Sequence, residues 1–85
     1  MPDAASSPAV TSLDVVDLKC PLPVLKARKA LAGLPPGALL EVLASDPGAA
    51  QDFEAFCQAA GHRLVGQSAA AGVQRFLIRK AAGSG

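Results

Sequence analysis

The sequence predicts a two-layer α+β sandwich, with elements in the order βαβαββ and both helices on one face of a four-stranded mixed sheet. Four apolar runs have the period of strands, and two further segments place apolar residues at helical spacing. Short connections rich in Gly and Pro separate these six segments. Because 51% of the 85 residues are hydrophobic, we expect one domain with one core over residues 11–80, between flexible tails at residues 1–10 and 81–85.

The first half of the chain predicts a strand, a helix and a second strand. The first strand covers residues 11–17 around Leu13, Val15 and Val16, and the second covers residues 38–45. A helical pattern runs over residues 24–34 between them, and the helix itself begins at Pro21 or Pro23. With short connections, this unit is expected to be parallel and right-handed.

One side of the first helix is predicted to be apolar, and its members are Val24, Leu25, Ala27, Leu31 and Ala32. Lys26 and Lys29 point away from that side. Arg28 falls within it and is expected to pack its stem there while its charged head reaches the rim. A role near the preceding Cys20 is the alternative for Arg28.

The second half predicts a helix and a hairpin. Asp46 is the expected N-cap and Pro47 the first helical residue. The apolar face of this helix consists of Ala49, Phe53, Phe56, Cys57 and Ala60, and Gly61 ends it. Two strands over residues 62–68 and 73–80 follow as an antiparallel hairpin. Phe76 and Ile78 share one face of the last strand, whereas Arg75, Leu77 and Arg79 share the other, open one.

Composition excludes several classes of function. The net charge is +1, so direct RNA binding through Lys19, Lys26, Lys29 and Arg79 is not favoured. Two Cys residues 37 positions apart and one His provide neither a CxxC pair nor zinc spacing, and we expect no metal and no cofactor. No apolar run approaches the roughly 18–20 residues of a membrane span, and no secretory signal is visible. We expect a cytoplasmic protein.

The strand-to-helix junction Cys20-Pro21-Leu22-Pro23 carries the candidate chemistry. A reactive thiol and a structural Cys in a Pro-rich turn both fit the local sequence. The helix N-terminus and Lys19 are expected to lower the pKa of the Cys20 thiol, although the prolines remove amide donors. His62 is expected at the far edge of the sheet and Cys57 in the core, so a Cys–His hydrolase is not favoured. A thiol without base, metal or partner thiol suits a carrier of persulfide sulfur.

The segment from Lys19 to Leu31 resembles the signature of the TusA/SirA-like sulfur carriers. The Asp46-Pro47 and Gly61-His62 pairs are similar to that family's second half, and the likeness extends over residues 11–80. The resemblance implies that Cys20 carries a persulfide, supported by Lys19, Pro21, Leu22 and Pro23. It also implies a cysteine desulfurase or rhodanese-like donor and a downstream acceptor protein. In that family the transferred sulfur serves tRNA 2-thiouridine formation, molybdenum-cofactor synthesis or sulfur oxidation. Residues expected to dock such partners are Lys26, Arg28, Lys29 and Arg79.

Asp17 departs from the family pattern, which usually has Gly three residues before the Cys. The loop entering Cys20 is therefore expected to differ in shape, and the added carboxylate to oppose formation of the thiolate.

The alternative function, from a different class, is a non-catalytic interaction or regulatory module that binds a partner through the open sheet face. In that case Arg75 and Arg79 would matter and Cys20 would be structural.

Overall fold

A computed structural model describes residues 10–81 of the chain. Its elements are β1 (Val10–Val15), α1 (Leu22–Ala32), β2 (Leu39–Ala44), α2 (Ala49–Ala60), β3 (Arg63–Ala70) and β4 (Val73–Arg79). The predicted βαβαββ order is confirmed. The predicted tails lie outside the described residues except for Ala81 and for Val10, which begins β1 instead of ending a tail. Within the described part, no helix has the length and apolar character needed to cross a membrane.

The four strands form one mixed sheet in the order β1-β2-β4-β3. β1 runs parallel to β2, as expected of a βαβ unit, while β4 is antiparallel to both β2 and β3. One face of this sheet and both helices share a single core, in which the rings of Phe53 and Phe76 lie 4.9 Å apart between centroids. The fold class is therefore the predicted two-layer sandwich with one open sheet face.

The faces of the last strand follow the predicted alternation. Phe76 and Ile78 are fully buried beneath the helices, whereas Arg75 and Arg79 are exposed on the other side. On that open face Arg75 forms an ion pair with Glu41 of β2. The open face thus carries arginines, as predicted, but one of them is already paired.

The apolar side of α1 differs from the prediction. The buried residues are Pro23, Ala27 and Leu31, whereas Leu25 is 49% exposed and Ala32 is exposed. The reason is that the helix begins at Leu22, after an N-cap at Pro21, so Pro23 is helical and takes a core position. With Pro23, Ala27 and Leu31 at spacing i, i+4, i+8, Leu25 lies on the opposite side of the helix. Arg28 is also exposed and not within the buried stripe.

The start of α2 differs as well. Gly48 is the N-cap and Ala49 the first helical residue, so the assignment of these roles to Asp46 and Pro47 was wrong. The Asp46 carboxylate accepts a 2.9 Å hydrogen bond from the Gly48 amide, which closes a turn before the helix instead of capping it. The helix ends as predicted at Gly61, whose φ of 81° is left-handed. Ala60, predicted to be apolar core, is exposed.

Candidate functional site

Two loops meet at the end of the sheet where the parallel strands β1 and β2 finish. Parallel strands end at the same edge, so the segment after Val15 and the segment after Ala44 lie side by side. The amide of Asp17 in the first loop donates a 2.9 Å hydrogen bond to Ser45 Oγ in the second. The second loop is tied to β4 by Gln74, whose Nε2 donates to the Asp46 carbonyl at 2.8 Å. Cys20 therefore follows a loop that hydrogen bonds hold to its neighbour and, through it, to β4.

Cys20 lies directly before the N-cap of α1 and is half-buried. Its Sγ and the Asp46 carboxylate flank Gly48 of the second loop. A Cβ built on Gly48 would lie 3.6 Å from Cys20 Sγ and 3.1 Å from Asp46 Oδ2. The φ of Gly48 is ordinary, at −84°, so glycine is needed here for space. The missing side chain lets the thiol and the carboxylate approach each other.

These carboxylates control the acidity of the thiol. The Asp46 carboxylate first, and that of Asp52 in α2 second, favour the protonated thiol and raise the pKa of Cys20 to about 12. In return, the thiol and the Gly48 amide lower the pKa of Asp46. The expected lowering of the Cys20 pKa was therefore wrong. The Leu22 amide is already bonded to the Lys19 carbonyl at 2.8 Å, and Pro21 has no amide hydrogen to offer.

Asp17 has a different role from the one predicted. Its backbone φ is +76°, in the left-handed region that Gly occupies readily and that Asp tolerates better than most residues. The loop therefore keeps a shape that suits glycine. The acids that oppose thiolate formation are Asp46 and Asp52 rather than Asp17.

An exposed face of α1 adjoins the thiol. Leu22 and Leu25 are 45% and 49% exposed, and Lys26 and Lys29 lie on the same side at helical spacing. Lys19 and Pro21 are also exposed beside Cys20, and Pro23 is buried in the first turn of α1. The structure thus surrounds the thiol with an apolar surface and several lysines.

Arg79, predicted to dock partners, and His62, predicted to lie far from Cys20, are both at the opposite end of the sheet. Arg79 pairs with Leu39 at the start of β2, about 17 Å along the strand from the end where Cys20 lies. His62 precedes β3 at that same far end, and its Nδ1 accepts a 2.9 Å hydrogen bond from the Ala81 amide. Burial first, and the charge of Lys80 second, lower the pKa of His62. The site contains no histidine base.

The second thiol belongs to the core. Cys57 is 3% exposed, and burial raises its pKa to about 11. No group of three His, Cys, Asp or Glu side chains within residues 10–81 could hold a metal ion. Asp46 and Asp52 are the site residues that sequence reasoning missed. The parallel βαβ unit was the available signal, because it requires the loops after its two strands to be neighbours.

Comparisons with known proteins identify the family of this chain. The family described as Sulfurtransferase TusA matches residues 11–80. A candidate sulfur carrier protein of Neisseria meningitidis serogroup A is 52% identical over 68 residues, covering 80% of this chain and 92% of that protein. The sulfur carrier protein TusA of Allochromatium vinosum is 43% identical over 68 residues, covering 80% and 90%.

A solved structure is also similar. The crystal structure of a SirA-like protein from Desulfitobacterium hafniense matches with a TM-score of 0.75 at 25% identity, covering 86% of this chain and 99% of that one. The family match spans most of the chain, and the two relatives above are 52% and 43% identical to it. The resemblance inferred from the motifs is thereby confirmed, and this chain belongs to the Sulfurtransferase TusA family.

Proposed function

We propose that this protein is a sulfur carrier that receives sulfane sulfur as a persulfide on Cys20 and passes it to an acceptor protein. The observation that carries the proposal is the half-exposed Cys20 thiol at the start of α1, within the segment that matches the family. The other thiol, Cys57, is enclosed in the core and offers no comparable access. A carrier needs one accessible sulfur and no hydrolytic machinery, and this site has that composition.

The transfer step exchanges one sulfur atom without net oxidation. The Cys20 thiolate attacks the terminal sulfur of a donor persulfide, and the bond between that sulfur and the donor's own sulfur breaks. The electron pair leaves on the donor, which becomes a thiolate, and Cys20 becomes Cys20-S-SH. Delivery repeats the exchange: an acceptor thiolate attacks the terminal sulfur, and Cys20 departs as a thiolate.

Asp46 and Asp52 keep the unloaded carrier unreactive. Because the thiolate is the nucleophile, a thiol with a pKa of about 12 reacts slowly with chance electrophiles near neutral pH. The Cys20 proton must therefore leave when a partner docks, to water or to a base on that partner. A donor that brings a cationic group beside Asp46 would offset the carboxylate and favour the thiolate. Reaction is thus slow in the free protein and faster in docked complexes.

The surface around the thiol is suited to such docking. Leu22 and Leu25 provide exposed apolar area, and Lys19, Lys26 and Lys29 supply charges that attract acidic surfaces. Pro23 is buried in the core at the start of α1 and so anchors the helix end that follows Cys20. Arg28 is exposed on the same helix and can join a larger contact.

The resemblance to the family implies the partners. The donor is a protein that forms a persulfide, such as a cysteine desulfurase or a rhodanese-like protein. The acceptor presents a thiol and serves 2-thiouridine formation in tRNA, molybdenum-cofactor synthesis or sulfur oxidation. The exchange at Cys20 is the same in each pathway.

Intact-protein mass spectrometry tests the assignment. After incubation with a cysteine desulfurase and cysteine, we expect an adduct of about 32 Da, the mass of one sulfur atom, on the protein. The adduct is expected to be lost in Cys20→Ser and kept in Cys57→Ser, which serves as the matched control. An adduct that persists in Cys20→Ser would overturn the role of Cys20.

A non-catalytic interaction module is the second candidate function. The observation that favours it is the open sheet face, where Arg79 is exposed and Leu77 is only partly covered. The two functions separate when Cys20 is blocked with iodoacetamide. Sulfur transfer is expected to stop, whereas a module acting through the open face would keep its partner binding and its cellular function.

A further inference from the structure

Two arginines face each other at the end of the sheet opposite Cys20. Arg63 at the start of β3 and Arg79 at the end of β4 are direct partners in the antiparallel register, and both are exposed. The Cβ atoms of such partners lie about 4.5–5.5 Å apart. Like charges placed directly opposite each other destabilise a sheet. The pair therefore needs an explanation other than the stability of the fold.

No carboxylate of the described residues neutralises this pair. Within residues 10–81 the one ion pair joins Arg75 to Glu41, and Glu41 also accepts a hydrogen bond from Ser12 at 3.1 Å. The acid of the open face nearest to these arginines along β2 is thus already engaged. In the same part of the chain, neither Arg63 nor Arg79 makes a side-chain hydrogen bond or an ion pair.

The two arginines border a cavity of about 210 Å³, and its lining residues are Gly61, Arg63, Arg79, Lys80 and Ala81. Three of the five are cationic and none is acidic. The Lys80 side chain lies on the other side of the strand from Arg79, where its ammonium donates a 2.6 Å hydrogen bond to the Leu34 carbonyl. We propose that this cavity binds a tetrahedral oxyanion of the phosphate class, held by the Arg63 and Arg79 guanidinium groups.

The chemistry of the lining selects this ligand class. Guanidinium groups bind phosphate oxygens through paired N–H donors, and two of them from neighbouring strands can grip one anion from two sides. An anion between them also removes the repulsion that the register imposes. The ligand is a free phosphate or the phosphate group of a small molecule, because a net charge of +1 lacks the basic character of a nucleic-acid surface.

NMR titration with inorganic phosphate tests the site. At constant ionic strength, we expect saturable shifts of the Gly61, Arg63, Lys80 and Ala81 amides and little change near Cys20. The double variant Arg63→Gln/Arg79→Gln is expected to weaken phosphate binding by about tenfold or more. The control is Arg75→Gln, an exposed arginine of the same strand that is paired with Glu41, and its affinity is expected to equal that of the unmodified protein.

A second readout separates binding from a structural role. At low salt without phosphate, Arg79→Gln is expected to raise the thermal midpoint, because it removes the repulsion between the arginines. Phosphate is expected to raise the midpoint of the unmodified protein and not that of the double variant.

Three results would overturn the proposal: shifts that grow linearly over the whole surface, phosphate affinity unchanged in the double variant, or a midpoint lowered by Arg79→Gln. A short single-stranded oligonucleotide provides the other arm. If it bound more tightly than phosphate, with a steep salt dependence lost in the double variant, the small-molecule assignment would be wrong. Sulfur loading of Cys20 is expected to be unchanged in Arg63→Gln alone, so this test is independent of the carrier function.

Discussion

Asp46→Asn is expected to make Cys20 more reactive in the free protein. With a pKa of about 12 instead of the ordinary 9.0, the thiol carries about 1000-fold less thiolate at pH 8. Asp46 is the largest cause of this shift and Asp52 the second. Because Cys20 is half-buried and water screens its interaction with Asp46, we expect the substitution to raise the thiolate fraction of Cys20 about 30-fold.

The reaction rate rises less than the thiolate fraction does. A less basic thiolate is a weaker nucleophile, with a Brønsted coefficient of about 0.5, so the net gain is about fivefold. The assay is the rate of alkylation by iodoacetamide at pH 8 in the Cys57→Ser background, followed by mass. Asparagine keeps the side-chain oxygen that accepts the hydrogen bond from the Gly48 amide.

The matched control is Glu54→Gln, which removes an exposed acid of α2 that is not among the causes of the Cys20 shift. Its alkylation rate is expected to equal that of the parent. The pH profile provides a further check, because the rate of Asp46→Asn should level off at a lower pH than that of the parent. An Asp46→Asn protein that is alkylated at the parental rate, or more slowly, would refute the control of Cys20 by carboxylates.

Three further predictions concern docking, the core and the far end of the sheet. Lys26→Glu is expected to slow sulfur transfer from a donor about two- to fivefold at low salt and to have little effect at about 0.5 M salt; equal low-salt rates would exclude steering by this lysine. Phe53→Ala should cost about 3–5 kcal/mol of unfolding free energy in urea, because Phe53 is fully buried against Phe76, and a loss below about 1 kcal/mol would contradict that packing. By NMR, the pKa of His62 should lie below its ordinary value of 6.5, and the chemical shift of the Ala81 amide should change over the same pH range. Neutral His62 stabilises the fold above pH 6.5, and this stabilisation is lost as the pH falls through the lowered pKa. A titration midpoint of His62 above pH 6.5 would contradict this.

The strands could be predicted from sequence more closely than the helix starts. In β2 and β4 the period of two places Leu40, Val42, Phe76 and Ile78 in the core as expected. In α1 the prediction placed Leu25 on the apolar side, whereas the helix turns Pro23, Ala27 and Leu31 toward the core and leaves Leu25 exposed. Proline is rarely assigned to a core, so the pattern gave too little weight to the residue that sets the helix rotation.

The candidate thiol could be predicted from its motif, but its acidity could not. Lys19 and the helix N-terminus are neighbours of Cys20 in sequence, and both favour the thiolate. The carboxylates that oppose them come from residues 26 and 32 positions later, and they reach the thiol through the parallel pairing of β1 and β2. Local sequence thus shows the factors that lower the pKa and conceals those that raise it.

The position of these carboxylates bears on how an unloaded carrier avoids reacting too early. A thiol activated within the free protein would react with any electrophile it met, whereas this one stays protonated beside Asp46. Gly48 is what permits the arrangement, because a side chain there would press on Asp46 and contact the sulfur. In the proposed carrier function, a partner that covers the exposed leucines and offsets Asp46 would activate the thiol. The same carboxylate that slows Cys20 alone would then provide selectivity for docked partners.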